Sequence, residues 1–256
     1  YEILYVFGKE NEIDAVKSIY YRFADLVAIG TIADVMPIVD ENRMIVKLGL
    51  SILEKSPRLG LLALMEAAAL GSNPNVRPAI DNSKQSRPRK INSTYIGFTI
   101  APRINAAGRI SSATRAVELL LSDDVNQAAE LAIELCEINY QRQVEENKIA
   151  EQAYYKIENE LDLKNQKVIV IADDEWLQGV VGIVSSKVTE KYGLPSILVS
   201  FDGASIGEAS GLDVGKGSGR SIKGFNLVDA LAYSKDTLIK FGGHDLAAGL
   251  SVRRKD

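Results

Sequence analysis

An α/β chain, with two α/β lobes joined by a long bridging helix, is what the sequence predicts. Three observations carry that prediction. Val125 to about Leu161 runs without Pro or Gly, with Ala128, Leu131, Leu135 and Ile138 at helical spacing. After Lys164-Asn165-Gln166 the texture changes to short apolar runs alternating with helical stretches, starting with KVIVIA at Lys167 to Ala172. The 46% apolar and 25% charged fractions are those of an ordinary globular protein, which excludes collagen, mucin and wholesale disorder.

The elements follow in order. Tyr1 to Gly8 (YEILYVFG) reads as a strand, and with no initiator Met the chain is expected to be a piece of something longer. Asn11 to Phe23 fits a helix, and Leu26-Val27-Ala28-Ile29 a short buried strand ending at Gly30. Helical periodicity resumes over Asn42 to Leu53 and Gly60 to Leu70. Gly71 to Lys90 is rich in Pro, Asn, Ser and Arg and is expected to be a mobile loop or inserted excursion. Ser122-Asp123-Asp124 is an N-cap cluster for the long helix, which at about 1.5 Å per residue reaches roughly 50 Å. Coiled-coil pairing is the alternative for that helix, though several clean heptads are lacking. Beyond it come a helix over Val180 to Tyr192, strands over Pro195 to Ser200 and Ala204 to Leu212, a helix over Leu227 to Tyr233 and a strand over Ala247 to Val252. The seam between lobes is placed near Leu163.

Charge and composition narrow the function. Lys+Arg total 30 against 34 Asp+Glu, for a net charge of −4, so nucleic-acid binding must rest on local patches. No run approaches the ~18 apolar residues of a membrane span, and no signal-peptide pattern opens the chain. One cysteine, Cys136, forms no internal disulfide, and with one histidine, His244, it makes no zinc cluster. A cytoplasmic location is expected.

Four segments carry possible chemistry. In GTIADVMP (Gly30 to Pro37), Asp34 would lie past the carboxyl end of a strand, where open α/β sheets place ligands, and its oxygens suit a hard divalent cation. A helix cap or loop turn is the alternative. In GFTIAPRINAAGR (Gly97 to Arg109), Arg103, Asn105 and Arg109 sit among small residues. Pro102 and Gly108 suggest a shaped loop whose guanidiniums clamp phosphates, or else ordinary ion-pairing arginines. GKGSGRSIKG (Gly215 to Gly224) offers backbone N–H groups, hydroxyls at Ser218 and Ser221, and cations at Lys216, Arg220 and Lys223, as an anion-binding nest or a flexible turn. In FGGHDLAAG (Phe241 to Gly249), Gly242 and Gly243 allow close approach. His244 can there donate to a phosphate or move a proton, or play a structural part.

The order of these motifs, with GVVGIVSSKV between them, resembles the RecJ-type single-stranded-DNA exonucleases of the DHH phosphoesterase superfamily, from about Leu26 onward. The resemblance implies that residues 1–72 are the C-terminal part of a DHH catalytic domain. It implies further that 73–163 hold the loop, the PRINAAGR segment and the connecting helix, and that 164–256 are a DHH-associated nucleic-acid-binding domain. It implies Asp34 as catalytic ligand of a Mn2+ or Mg2+ pair. Nucleic-acid contacts would come from Arg103, Asn105, Arg109, Ser218, Arg220, Ser221, Gly242, Gly243 and His244. The implied activity is 5′-to-3′ release of nucleotides from single-stranded DNA in repair and recombination, with replication or repair proteins as possible partners. The family's DxD run and Asp-His-His triplet have no counterpart here, and Trp176-Leu177-Gln178-Gly179 lacks the histidine often found before that glycine. The chain by itself is therefore expected to be inactive. A DHH phosphodiesterase acting on oligonucleotides or cyclic dinucleotides, and a catalytically dead nucleic-acid-binding scaffold, stay open as alternatives.

Overall fold

The computed structural model describes residues 15–70, 90–201 and 214–255. The expected strands at Tyr1 to Gly8 and Ala204 to Leu212, and the loop from Gly71 to its junction with Lys90, lie outside the described residues. The chain divides into two compact units, Tyr1–Tyr140 and Gln141–Asp256, and its secondary structure is mixed α/β as expected.

The regular structure described in the first unit is helical. Helix α1 spans Ala15–Ala33 and α2 Asp40–Lys55. The expected strand at Leu26 to Ile29 is therefore a misreading: those four residues lie inside α1. Their apolar run is continuous, but burial follows a helical period through Ala24, Ala28, Ile29 and Ile32. Ala24 and Ala28 admit α2 closely, since a Cβ on Gly49 would lie 2.2 Å from the Ala24 carbonyl oxygen. Asp25, only 2% exposed, is satisfied by the Arg58 Nε–H at 2.7 Å. Helix α3 (Leu59–Ala69) comes next.

The run expected to be a shaped loop is also helical. Helix α4 (Ser93–Tyr95) leads through a π-helical stretch, Ile96–Ile100, into α5 (Ala101–Ile110). Asn92 caps the start by accepting from the Tyr95 N–H at 2.8 Å. Proline inside a helix lacks a donor and crowds the preceding turn. Here the turn just before Pro102 is widened, with the Ala101 N–H reaching back five residues to the Ile96 carbonyl. Helix α6 (Ala113–Leu121), capped by Ser112, went unread in the sequence.

Helix α7, Val125–Glu160, is the long helix anticipated. Asp124 accepts from the Gln127 N–H at 2.8 Å, as the N-cap cluster predicted. Its first part joins the first unit's core through Ala128, Leu131, Ala132 and Leu135.

The second unit is a five-stranded sheet in the order β1-β2-β3-β5-β4: β1 Ile169–Asp173, β2 Ser196–Ser200, β3 Val214–Arg220, β4 Leu238–His244 and β5 Ala247–Arg253. β1 and β2 are parallel and joined through α8 (Gln178–Tyr192); every other pairing is antiparallel. On one face Ser185 and Thr189 of α8 each bond Ser196 at 2.8 Å. The other face packs α9 (Leu227–Tyr233), whose Leu227 and Leu231 meet Ala248 and Leu250. Among the described residues no helix is long and apolar enough to cross a membrane.

Candidate nucleic-acid interface

β3 is the surprise of the second unit. GKGSGR, expected to be a nest or flexible turn, is a central strand, because its three glycines all face the α9 side. Cβ atoms there would lie 2.6 Å from Phe201 at Gly215, 2.9 Å from Leu250 at Gly217 and 2.7 Å from Leu227 at Gly219. Large neighbours fill the space these glycines vacate. The period-two alternation then sends Lys216, Ser218 and Arg220 to the opposite face together.

Register extends this face across two more strands. Cross-strand partners share a face, so three rows form: Lys216–Ser251–Lys240, Ser218–Gly249–Gly242 and Arg220–Ala247–His244. The middle row has a floor of glycine where β5 and β4 are exposed. A Cβ on Gly242 would meet nothing within 4 Å, and one on Gly249 only the Gly217 carbonyl oxygen at 3.9 Å. This glycine row thus stands open between Lys216/Lys240 at one end and Arg220/His244 at the other. Helix α8 flanks this floor: a Cβ on Gly182 would lie 2.8 Å from Ser218 Oγ and 3.2 Å from Arg220 Nη2. Arg220 is aimed by its Nη1, which donates to Ser218 Oγ at 3.1 Å and to the Gly219 carbonyl at 2.8 Å.

Gly243 has φ +150°, and a Cβ there would lie 2.3 Å from the Ala247 carbonyl oxygen. Only glycine lets the chain pass, and that passage puts His244, exposed, at the end of β4 and just ahead of β5. The Ser221 hydroxyl donates to the Phe225 carbonyl at 2.8 Å, so its one proton is committed to the turn. A cleft of ≈ 460 Å³ opens on the same face, lined by Gln178, Lys216, Ser218, Lys240, Gly242 and Ser251 among others. Lys240 and Ser251 were not singled out from sequence. The signal for β3 was there in the alternation of GKGSGR, while β4 is irregular between Leu238 and Lys240 and hides its period.

The remaining predicted residues belong to the first unit. Arg103, half-buried on α5, donates from Nη1 to the Thr99 carbonyl at 2.6 Å and from Nε to Cys136 Sγ at 3.3 Å. Burial pushes the Cys136 thiol up, while the Arg103 guanidinium pulls it the other way. Asn105 and Arg109 are exposed on the same helix.

Asp34 sits one residue beyond α1, not past a strand. The Val35 N–H bonds the Ile32 carbonyl and the Met36 N–H the Thr31 carbonyl, both at 3.1 Å. These two bonds close the helix as a Schellman motif, with Val35 at φ 54° in the left-handed position usually given to glycine. The next helix starts at Asp40 after Val39, so Asp34 is not its cap. A carboxylate at the carboxyl end of a helix meets the negative end of the macrodipole, an environment that favours a cation beside it. One carboxylate does not make a metal centre. Among the described residues no group of three His, Cys, Asp or Glu converges as ligands, so these residues do not by themselves fit a divalent-metal site.

Residues 165–256 match the DHHA1 domain family. The chain is 41% identical over 233 residues to the single-stranded-DNA-specific exonuclease RecJ of Bacillus subtilis, covering 91% of this chain and 26% of that protein. It is 37% identical to RecJ of Haemophilus influenzae, covering 90% of this chain and 37% of that one. The fold matches the crystal structure of Thermus thermophilus RecJ in complex with Mg2+ at a TM-score of 0.74 and 32% identity, over 96% of this chain and 33% of that chain. A structure of exonuclease RecJ bound to manganese matches at 0.70 and 33%, over 96% of this chain and 53% of that one. The chain spans between about a quarter and two fifths of the curated relatives it matches.

Proposed function

We propose that this chain, which carries a DHHA1 domain and is homologous to part of the RecJ exonucleases, is the strand-holding portion of a RecJ-type enzyme. That enzyme would be a metal-dependent exonuclease for single-stranded DNA, releasing nucleotides from the 5′ end in DNA repair and recombination in the cytoplasm. The observation that carries this reading is the three-row sheet face, where a glycine floor lets a phosphodiester backbone approach between placed cations. Ser218, Arg220, Gly242, Gly243 and His244 form its phosphate-binding part. Hydroxyl, guanidinium and imidazole fix register without reading sequence.

Residues 1–72 then correspond to the end of a DHH catalytic domain, in which Asp34 would supply one ligand to a Mn2+ or Mg2+ pair. When bound, that pair would supply Lewis-acid activation of the phosphate and of water. Arg103, Asn105 and Arg109 contribute further backbone contacts. Six residues of helix separate the two arginines by about 120° around the axis and about 9 Å along it, so they serve separate phosphates rather than one.

The test is binding of this chain to two unrelated labelled oligodeoxynucleotides over a salt series. Arg220→Gln and His244→Ala are each expected to weaken both oligonucleotides alike and to flatten the salt slope by about 0.7 or less, as for one lost single-strand phosphate contact. Parental affinity and slope in both variants would show that the sheet face does not hold the strand.

A further inference from the structure

We infer that Lys216 and Lys240, facing each other across Ser251 in the ≈ 460 Å³ cleft, form a separate phosphate seat that extends the strand's path beyond the glycine floor. This rests on the strand-holding reading and joins Lys216 to Lys240, a residue that no motif offered.

Pairing separates these two lysines from those of α7 and α8. Lys148, Lys156, Lys187 and Lys191 each form an ion pair with a carboxylate. Lys216 and Lys240 form none with any described residue. Another cleft of the unit, ≈ 510 Å³, shows the contrast. There Lys156 meets Asp173 at 3.1 Å and Arg254 meets Asp174, so its cations are already answered. Burial pushes the Asp173 carboxyl up, but the Glu175 N–H and Lys156 outweigh it and hold the group below its ordinary value.

Spacing gives the seat its size. Strands lie about 4.8 Å apart, so two positions separated by one strand stand roughly 10 Å apart. That gap admits one tetrahedral phosphate between two ammonium groups. Ser251 lies in the middle of the row. The first turn of α8, which follows Leu177, borders the cleft at Gln178, so the positive end of its dipole adds to the same potential. Two like charges with no counter-ion among the described residues, beside a helix amino end, favour the arrival of an anion. Four residue steps along β3 carry Lys216 to Arg220, about 13 Å of strand. The seat is therefore distinct from the Arg220/His244 end, with the glycine row joining them.

The ligand is a phosphate, either a diester within a strand or a free mononucleotide; the inference commits to the strand. The experiment measures the binding of this chain and of the Lys216→Gln/Lys240→Gln double variant to short and long oligo-dT, to dTMP and to inorganic phosphate, with thermal melts to verify folding. The parent should gain affinity with oligonucleotide length. The double variant should lose most of that gain, bind long oligo-dT roughly tenfold more weakly and lose about 0.7 of salt slope, while short oligo-dT is little affected. Lys216→Arg/Lys240→Arg should restore the gain. A double variant that keeps the parental length dependence and slope, while Arg220→Gln weakens binding, overturns the seat and leaves the strand-holding reading intact. Binding of dTMP or phosphate to the parent as tight as long oligo-dT, lost in the variant, overturns the strand assignment in favour of a free-nucleotide site. No binding of any oligonucleotide by the parent overturns both.

Discussion

The two units carry their predicted motifs on opposite kinds of scaffold. In the first unit Arg103, Asn105 and Arg109 ride on a helix, which turns about 100° per residue and scatters side chains around its axis. Arg103 consequently spends donors on Thr99 and Cys136 inside its own unit. In the second unit GKGSGR is a strand, and its period of two sends Lys216, Ser218 and Arg220 to one face. Pairing then adds Lys240, Gly242 and His244 from β4, with Gly249 between. Residues close in sequence are dispersed by the helix and gathered by the sheet. The gathered set has the form of a binding surface; the dispersed set is part brace, part surface.

Substitution of two neighbouring glycines sharpens that comparison most. At Gly243 an added Cβ would strike backbone of β5, with Ala247 O at 2.3 Å and Ala248 Cα at 2.6 Å, at a φ of +150°. Gly243→Ala is expected to cost about 3 kcal/mol or more and to loosen the β4–β5 pair, read as a fall in the melting temperature. Gly242→Ala meets open space. It should leave stability within about 1 kcal/mol, yet weaken strand binding because a methyl group now stands on the floor. Equal melting temperatures for the two variants would break the account of this turn.

In the first unit the corresponding strain is at Val35, 87% exposed and at φ 54° beside Asp34. A β-branched residue in the left-handed region costs on the order of 1–2 kcal/mol. Glycine removes that cost but adds entropy to the unfolded chain. Val35→Gly should therefore stabilise the chain by about 0.5–1 kcal/mol in denaturant titration, without changing oligonucleotide binding. Destabilisation would mean that the Schellman closure is not what ends α1.

Much of the architecture was legible in the sequence because the signals were local. The long helix showed its stripe and its Asp124 cap, and α8, α9, β1, β2 and β5 showed their periods. Leu26 to Ile29 misled because four consecutive apolar residues look alike in a buried strand and in a helix interior; only Ala24 and Ile32 on either side reveal the turn. GKGSGR misled because glycine is rare in strands, and what permits it here, the bulk of Leu250, Leu227 and Phe201, comes from elsewhere in the chain. The α5 segment misled through Pro102, which the preceding π turn accommodates. Arg220 and His244 could be named from sequence. Lys240 and Ser251 could not, because only register sets them beside Lys216.

The central claim is that the open face of β3, β5 and β4 grips a single strand. Titrating the isotope-labelled chain with oligo-dT and following backbone amide shifts tests it most directly. The account predicts the largest shifts at Ser218, Gly242, Gly243, His244 and Gly249, with smaller ones at Lys216 and Lys240. Saturable binding that leaves those amides unmoved, with the shifts gathered in the first unit's helices instead, would contradict it.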